Sequence, residues 1–337
     1  MKQVWISKVG GPEVLQMREA PDPIAKPGEL RIRVKASGIN FADLLARQGL
    51  YPDAPKLPAV VGYEVAGIVD QAEAGTGFQS GDRVGSITRF GGYSDTVVVP
   101  AAMAFRLPKE LSFESAAAIP VNYLTAWLML IHQGNVKKGD KVLIHAAAGG
   151  VGQAALQICR WKEAEVYGTA SASKHARLKE LGVRHCIDYH TQDFEAEILR
   201  LTDKRGVDIV LDAVGGESYR KSFRCLAPLG KLMMFGASTL SSGKNRKLWA
   251  VAKGLWKMPS FKAIPLMNQN RGVLGFNLGH LWDRQALLQS SLAEILDLVA
   301  ARTFRPLVDK TFPMEQAAQA HAYLHEHQNF GKVLLTA

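Results

Sequence analysis

The sequence predicts an α/β chain with a β-rich first domain and a parallel sheet in its middle. Three observations predict this. Short apolar runs divided by turn residues fill roughly the first hundred positions. From Lys141 onward, buried strands alternate with amphipathic helices, the order that builds a parallel sheet. A cluster of small residues stands between the first of those strands and the helix after it.

Taken in order, Met1 to Lys8 reads as the start of a strand rather than a secretory leader, because it has no apolar h-region. The runs Leu30 to Val34, Val65 to Val69, Arg83-Val84 and Tyr93 to Val99 carry the β-rich domain. Ala116 to Ile131 is the most apolar stretch, but Pro120 and Asn122 interrupt it and it is too short to span a bilayer. Strands follow at Lys141 to His145, Glu165 to Thr169, Val207 to Asp212 and Lys231 to Phe235, with a helix through Ala154, Ala155, Ile158 and Cys159. Gly272 to Phe276 is expected to complete the sheet, Arg284 to Ala301 to form a helix, and Gly331 to Leu335 to close the chain as a strand of the first domain.

A chain of 337 residues, 47% of them hydrophobic, can bury two cores, and no repeat or low-complexity tract points to a solenoid or to disorder. Three scattered cysteines exclude a disulfide scaffold and suit a reducing, cytoplasmic setting. The net charge of +10 admits nucleic acid, anionic lipid or phosphate-bearing small molecules as partners.

The most informative segment is Ala146-Ala147-Ala148-Gly149-Gly150-Val151-Gly152. Small residues between a strand and a helix let backbone approach a pyrophosphate, and the helix N-terminus supplies free N–H groups. An NAD site usually ends its second strand with an acid for the adenine ribose. Here that strand runs into Gly168-Thr169-Ala170-Ser171-Ala172-Ser173-Lys174, so the acid is missing and a cation is near. Ser171, Lys174 and Tyr189 are therefore the candidate ligands of a 2′-phosphate, and NADPH is the expected cofactor. The bland alternative makes Lys174 a solvated lysine at a helix start.

Gly38-Ile39-Asn40-Phe41-Ala42-Asp43, Gly62-Tyr63-Glu64, Gly81-Asp82-Arg83-Val84, Gly91-Gly92-Tyr93, Leu124-Thr125-Ala126-Trp127 and the glycine loop occur in this order. Together they resemble the medium-chain dehydrogenase/reductase superfamily, in its zinc-free quinone oxidoreductase branch. Pro120-Val121-Asn122-Tyr123, Gly275-Phe276-Asn277-Leu278-Gly279 and Gly331-Lys332-Val333-Leu334-Leu335 are most similar to its vesicle amine transport protein-like members. The resemblance implies a GroES-like catalytic domain from both chain ends, 1–123 and 278–337, and a Rossmann domain over 124–277. It also implies an active site in the cleft between them and a homodimer joined through the strands near Gly272 to Phe276.

By that resemblance Asn40, Asp43, Tyr51 and Tyr63 are the candidate catalytic residues. Read locally, Asn40 is equally a turn residue, Asp43 a helix cap and Tyr51 a packing aromatic. Thr125, Ala148, Gly149, Gly150, Val151, Gly152, Val214, Phe235, Gly236, Phe276, Asn277, Asn329 and Lys332, with Asn40, Ser171, Lys174 and Tyr189, are the candidate cofactor contacts. The positions aligned with the zinc ligands of related alcohol dehydrogenases hold Asn40, Tyr63 and Val121, and no cysteine cluster exists, so no metal is expected. Without a metal to stabilise an alkoxide, the fitting chemistry is hydride transfer to a quinone, or to an enone or enal as the second choice. His321, His325 and His327 read as the solvated face of a helix, and the cysteines as packing residues.

Between Gly243 and Arg271 the chain carries seven Lys or Arg residues, Trp249 and Trp256, and no acid. A basic amphipathic helix of this kind suits an anionic membrane surface, while a lid or interface helix is the competing reading. A lipid-surface protein built on a reductase scaffold is thus the alternative of another class. Nucleic acid is not expected, because no aromatic-interleaved RNA module is present.

Overall fold

The structure is a computed structural model, and it describes residues 1–241, 252, 254 and 256–337. The described residues divide into two compact units. Met1–Leu124 and Leu278–Ala337 form the first, and the described residues from Thr125 to Asn277 form the second.

In the first unit, β1 (Lys2–Ile6) pairs antiparallel with β2 (Leu15–Glu19). The larger sheet contains β3 (Glu29–Ile39), β4 (Glu64–Ala72), β5 (Arg83–Ile87), β6 (Thr96–Pro100) and β7 (Ala104–Arg106). Two strands from the far end of the chain, β14 (Val308–Pro313) and β15 (Lys332–Thr336), complete the seven strands, six of them in the order β14-β15-β3-β4-β5-β7 and β6 paired with β3. The long β3 alternates half-exposed Arg31 and Arg33 with buried Leu30, Ile32 and Val34, the period-two pattern of a strand with one face on a core. That core gathers Ile6, Leu30, Ile32, Leu44, Val65 and Leu335. This is the GroES-like sheet.

The second unit contains a six-stranded sheet in the order β10-β9-β8-β11-β12-β13, with every neighbouring pair parallel. Its strands are β8 (Lys141–Ile144), β9 (Glu165–Ala170), β10 (His185–Asp188), β11 (Val207–Asp212), β12 (Leu226–Met234) and β13 (Gly272–Gly275). Val142, Leu143 and Ile144 are all buried, as expected of a central strand covered on both faces. The order reverses beside β8, which lies between β9 and β11, and that is the switch point of a Rossmann sheet.

The helices that bear on function are α1 (Phe41–Arg47), α2 (Phe113–Ala117), α3 (Pro120–Trp127), α4 (Gly150–Trp161), α5 (His175–Glu180), α6 (Phe194–Leu201) and α7 (Glu217–Arg224). The helix expected over Arg284 to Ala301 spans Gln285–Ala300. Among the described residues no helix is long and apolar enough to cross a membrane.

Candidate functional site

Four chain segments meet in the first unit at one buried polar cluster. Antiparallel pairing of β15 with β3, in the register Val333↔Ile39, sets Lys332 beside Asn40, the residue that follows β3. Glu64 opens β4, and Val121 lies in the first turn of α3. The Lys332 ammonium forms an ion pair with Glu64 and donates to Asn40 Oδ1 at 2.6 Å. The Asn40 amide nitrogen donates to Glu64 Oε1 at 3.0 Å, and the Val121 N–H to Glu64 Oε2 at 2.8 Å. Lys332 is 2% exposed and Glu64 fully buried, so the charges are satisfied by each other rather than by water. Gly38 makes this possible, because a Cβ there would collide with the Glu64 carboxylate.

Asp43 is fully buried behind this cluster. Its carboxylate accepts the Asn40 N–H at 2.8 Å, closing a capping box on α1, and the Gly62 N–H at 3.0 Å. Burial pushes the Asp43 carboxyl up to about 7, against the pull of those two N–H groups and the Lys332 ammonium.

Tyr51, Tyr63, Phe90, Trp282 and Arg89 line a cavity of about 360 Å³ in the same unit. Tyr63 stands edge-on to Tyr51 at 6.2 Å and 5.4 Å from Phe90, centroid to centroid. The Tyr63 hydroxyl is out of reach of solvent and faces the Tyr51 side chain. Burial, and then the negative charge of Asp43, raise its pKa far above the usual phenol value. At the rim, His280 Nε2 and Asp53 Oδ2 pair at 2.8 Å.

In the second unit the glycine loop begins at Ala146, whose φ is 52°, and turns directly into α4. A Cβ at Gly152 would stand 2.5 Å from the Ala146 carbonyl oxygen and 2.7 Å from that of Ala147, so only glycine fits there. Gly149 caps α4 without a side-chain hydrogen bond, which leaves the first-turn N–H groups of Gly150, Val151 and Gly152 open to an anion. Ala148 is buried beside them.

β9 and β10 run side by side with Asp188 opposite Ala170, so Ser171 and Tyr189 leave the sheet at adjacent strand ends. No acid follows β9. Asp188 turns into its own loop, accepting the His190 N–H at 3.1 Å and the Thr191 hydroxyl at 3.0 Å, and these bonds hold its carboxyl below the usual range. Tyr189 is 46% exposed. Val214 follows β11, Phe235 and Gly236 follow β12, and Phe276 and Asn277 follow β13, all at the same sheet edge as the glycine loop. Thr125 is buried in α3.

Asn329 and Lys332 both point inward within the first unit. The Asn329 amide donates to the Gly331 carbonyl at 2.9 Å, and the Lys332 ammonium is committed as described. The sequence reading missed Glu64 as the centre of the buried cluster, as well as Arg89, Trp282 and the His280–Asp53 pair at the cavity. The motif Gly62-Tyr63-Glu64 was the available signal for Glu64. One expectation is corrected: His321 and His325 are buried, not solvated, and His321 Nε2 lies 3.0 Å from the Tyr93 hydroxyl in the core. Among the described residues, no three His, Cys, Asp or Glu side chains stand together as a metal site. Of the basic segment, Lys244, Arg246, Lys247, Leu248, Trp249, Val251, Lys253 and Leu255 lie outside the described residues.

A chain that carries both a sheet of GroES type and a Rossmann sheet with an acid-free second strand is a dehydrogenase/reductase of the medium-chain class. Comparison with known proteins gives the same answer. The alcohol dehydrogenase GroES-like domain matches residues 26–109, and the zinc-binding dehydrogenase family matches residues 181–335. The mouse synaptic vesicle membrane protein VAT-1 homolog is 45% identical over 323 residues, covering 95% of this chain and 79% of its own. A quinone oxidoreductase of Pseudomonas aeruginosa is 33% identical, with 99% of each chain covered. The solved Escherichia coli quinone oxidoreductase complexed with NADPH superposes with a TM-score of 0.87 at 31% identity, over 100% of each chain. The chain belongs to the medium-chain dehydrogenase/reductase superfamily of oxidoreductases, among its VAT-1-like and quinone oxidoreductase members.

Proposed function

We propose that the protein is an NADPH-dependent, zinc-independent reductase that delivers hydride to a quinone-like acceptor. The observation that carries the proposal is the aromatic-walled cavity lined by Tyr51, Tyr63, Phe90 and Trp282. When bound, NADPH supplies the hydride from C4 of its nicotinamide. The first-turn N–H groups of α4 hold the pyrophosphate, and Ser171, Lys174 and Tyr189 take the 2′-phosphate. Tyr51, Phe90 and Trp282 receive a flat conjugated ring. The Tyr63 O–H donates a hydrogen bond to the acceptor oxygen that gains charge, and its raised pKa keeps the proton in place across the working pH range.

The donor set does not suit a catalytic zinc. Asn40 Oδ1, the group aligned with one zinc ligand, already accepts from the Lys332 ammonium at 2.6 Å. That oxygen and the Glu64 carboxylate are both committed to the ammonium, so a metal would have to displace Lys332. The scattered free cysteines, two of them buried, fit a cytoplasmic enzyme. Among the described residues β13 pairs with β12 alone, and its open edge is the natural seam of a homodimer.

Fluorescence titration with NADPH and NADH, followed by NADPH consumption with a quinone and with an enone, tests the reading. Tight NADPH binding and turnover of the quinone are expected, with kcat about 100-fold lower in Tyr63→Phe and the NADPH affinity unchanged. Absence of binding to either nucleotide would sink the proposal.

A second reading has an observation in its favour. Trp256 is 85%, Ile264 70% and Met267 72% exposed, near Lys257 and Lys262, which suits contact with an anionic membrane surface. Co-sedimentation with anionic liposomes, lost in Trp256→Ala/Lys257→Glu, would support it.

A further inference from the structure

Beneath the glycine loop lies a chain of buried polar groups to which the proposed reaction gives no part. His145 follows β8 and is 3% exposed, Thr169 lies near the end of β9, Asp212 ends β11, and Ser218 and Ser222 stand on α7. Every hydrogen in the set can be assigned from its partners. Asp212 Oδ2 accepts the hydroxyls of Ser218 and Ser222, each at 2.7 Å, and a carboxylate has no proton to return. With its own proton committed, Ser222 Oγ accepts from His145 Nε2, 3.0 Å away. The imidazole therefore carries its proton on Nε2. Nδ1, 3.1 Å from Thr169 Oγ1, is left to accept the threonine hydroxyl. Thr169 Oγ1 in turn accepts the Ala146 N–H at 3.3 Å.

The result is a hydrogen-bond chain that runs in one direction, from the Ala146 N–H through Thr169, His145 and Ser222 to Asp212. The far end is also fastened, because Asp212 Oδ1 accepts the N–H groups of Val214 at 2.7 Å and Gly215 at 3.3 Å. Its two termini are the first residue of the glycine loop, held at φ 52°, and the loop after β11, where Gly215 has φ 80°. Neutral imidazole is the only form that satisfies every member. Burial favours that form by lowering the His145 pKa, against the opposing pull of Asp212 3.8 Å away. The ring is closed off on its other side by Phe194, edge-on at 4.5 Å.

We propose that Thr169, His145, Ser222 and Asp212 are positioning residues that couple the glycine loop to the Val214–Gly216 loop, so that the two cofactor-facing turns at the switch point are set as one unit. This inference rests on the proposed nucleotide site, and its first readouts are made without nucleotide. In the free protein, ¹⁵N spectra of labelled histidine should show His145 as the neutral Nε2–H tautomer. Ser222→Ala should shift the Ala146 amide resonance, and Thr169→Val should shift those of Val214 and Gly215, although each change lies at the opposite end of the chain. Thr169→Ser keeps the hydroxyl and should restore the wild-type positions. With NADPH, each single variant should bind about fivefold to tenfold more weakly. The double variant should bind little more weakly than the worse single.

An Nδ1–H tautomer, remote amides that stay in place, or single-variant losses that multiply in the double would each overturn the coupling. If the wild-type protein shows the tautomer and the remote shifts yet binds no NADPH, the coupling stands and the nucleotide reading fails.

Discussion

Replacing Lys332 with methionine should be among the most damaging single changes available in the first unit. The variant keeps most of the side-chain volume but removes the ammonium that faces Glu64 and Asn40. Glu64 would remain fully buried, with only the Val121 N–H at 2.8 Å and the Asn40 amide at 3.0 Å as partners. Breaking a buried pair from one side costs about 3–5 kcal/mol, because the abandoned charge keeps its desolvation penalty. For a unit of this size each kcal/mol lowers Tm by about 2–4 °C, so a fall of about 10 °C is expected. Urea denaturation and calorimetry of the wild type, Lys332→Met, Glu64→Gln and the double variant form the assay. Glutamine at 64 retains an acceptor for Val121, so the double variant should recover at least half of the loss. A cost below about 1 kcal/mol for Lys332→Met, or single-variant costs that add within about 0.5 kcal/mol in the double, would refute the reasoning.

Three further outcomes are expected. Gly152→Ala forces a methyl to 2.5 Å from the Ala146 carbonyl oxygen, and NADPH binding by fluorescence should fall at least about tenfold while circular dichroism stays that of a folded protein. Lys174→Ala should cost about tenfold in NADPH affinity and leave NADH affinity unchanged, read in the same titration. Asp43 has a folded-state pKa of about 7 against an ordinary value of 3.8, so the folded chain holds that proton more tightly than the unfolded chain does. Its contribution to stability is therefore full below about pH 4 and declines by about 1.4 kcal/mol per unit as pH rises to about 7. Urea midpoints across that range should show the decline in the wild type, and its persistence in Asp43→Asn would exclude Asp43 as the source.

The parts of the fold that were legible in the sequence are those where burial is two-sided or strictly alternating. β8 and β11 are central strands of a parallel sheet and carry continuous apolar runs, while β3 alternates. β10 and β14 escaped because each is the first strand in the order of its sheet, with a neighbour on one side only. His185-Cys186-Ile187-Asp188 and Val308-Asp309-Lys310-Thr311-Phe312-Pro313 need little apolar character there. At the site, the glycine loop and the missing acid after β9 were readable because they are local features of the chain. Glu64 and its pairing with Lys332 were not, since composition assigns lone charges to the surface and only the β15–β3 register brings the two together. His321 misled for the same reason: its partner is Tyr93, far away in sequence.

That long-range pairing also explains how the Tyr63 phenol is held in place. The neighbours of Tyr63 on both sides are anchored: the Gly62 N–H to Asp43 at 3.0 Å, and the Glu64 carboxylate to Lys332, Asn40 and Val121. The Tyr63 carbonyl accepts the Thr88 N–H at 2.7 Å, so the residue is fixed through its backbone as well. In the proposed reaction the O–H of this side chain is turned to the acceptor. Anchoring the flanking residues through Asp43 and Lys332 gives order to the tyrosine, which is the condition the proposed hydrogen-bond donor to a developing oxyanion has to meet.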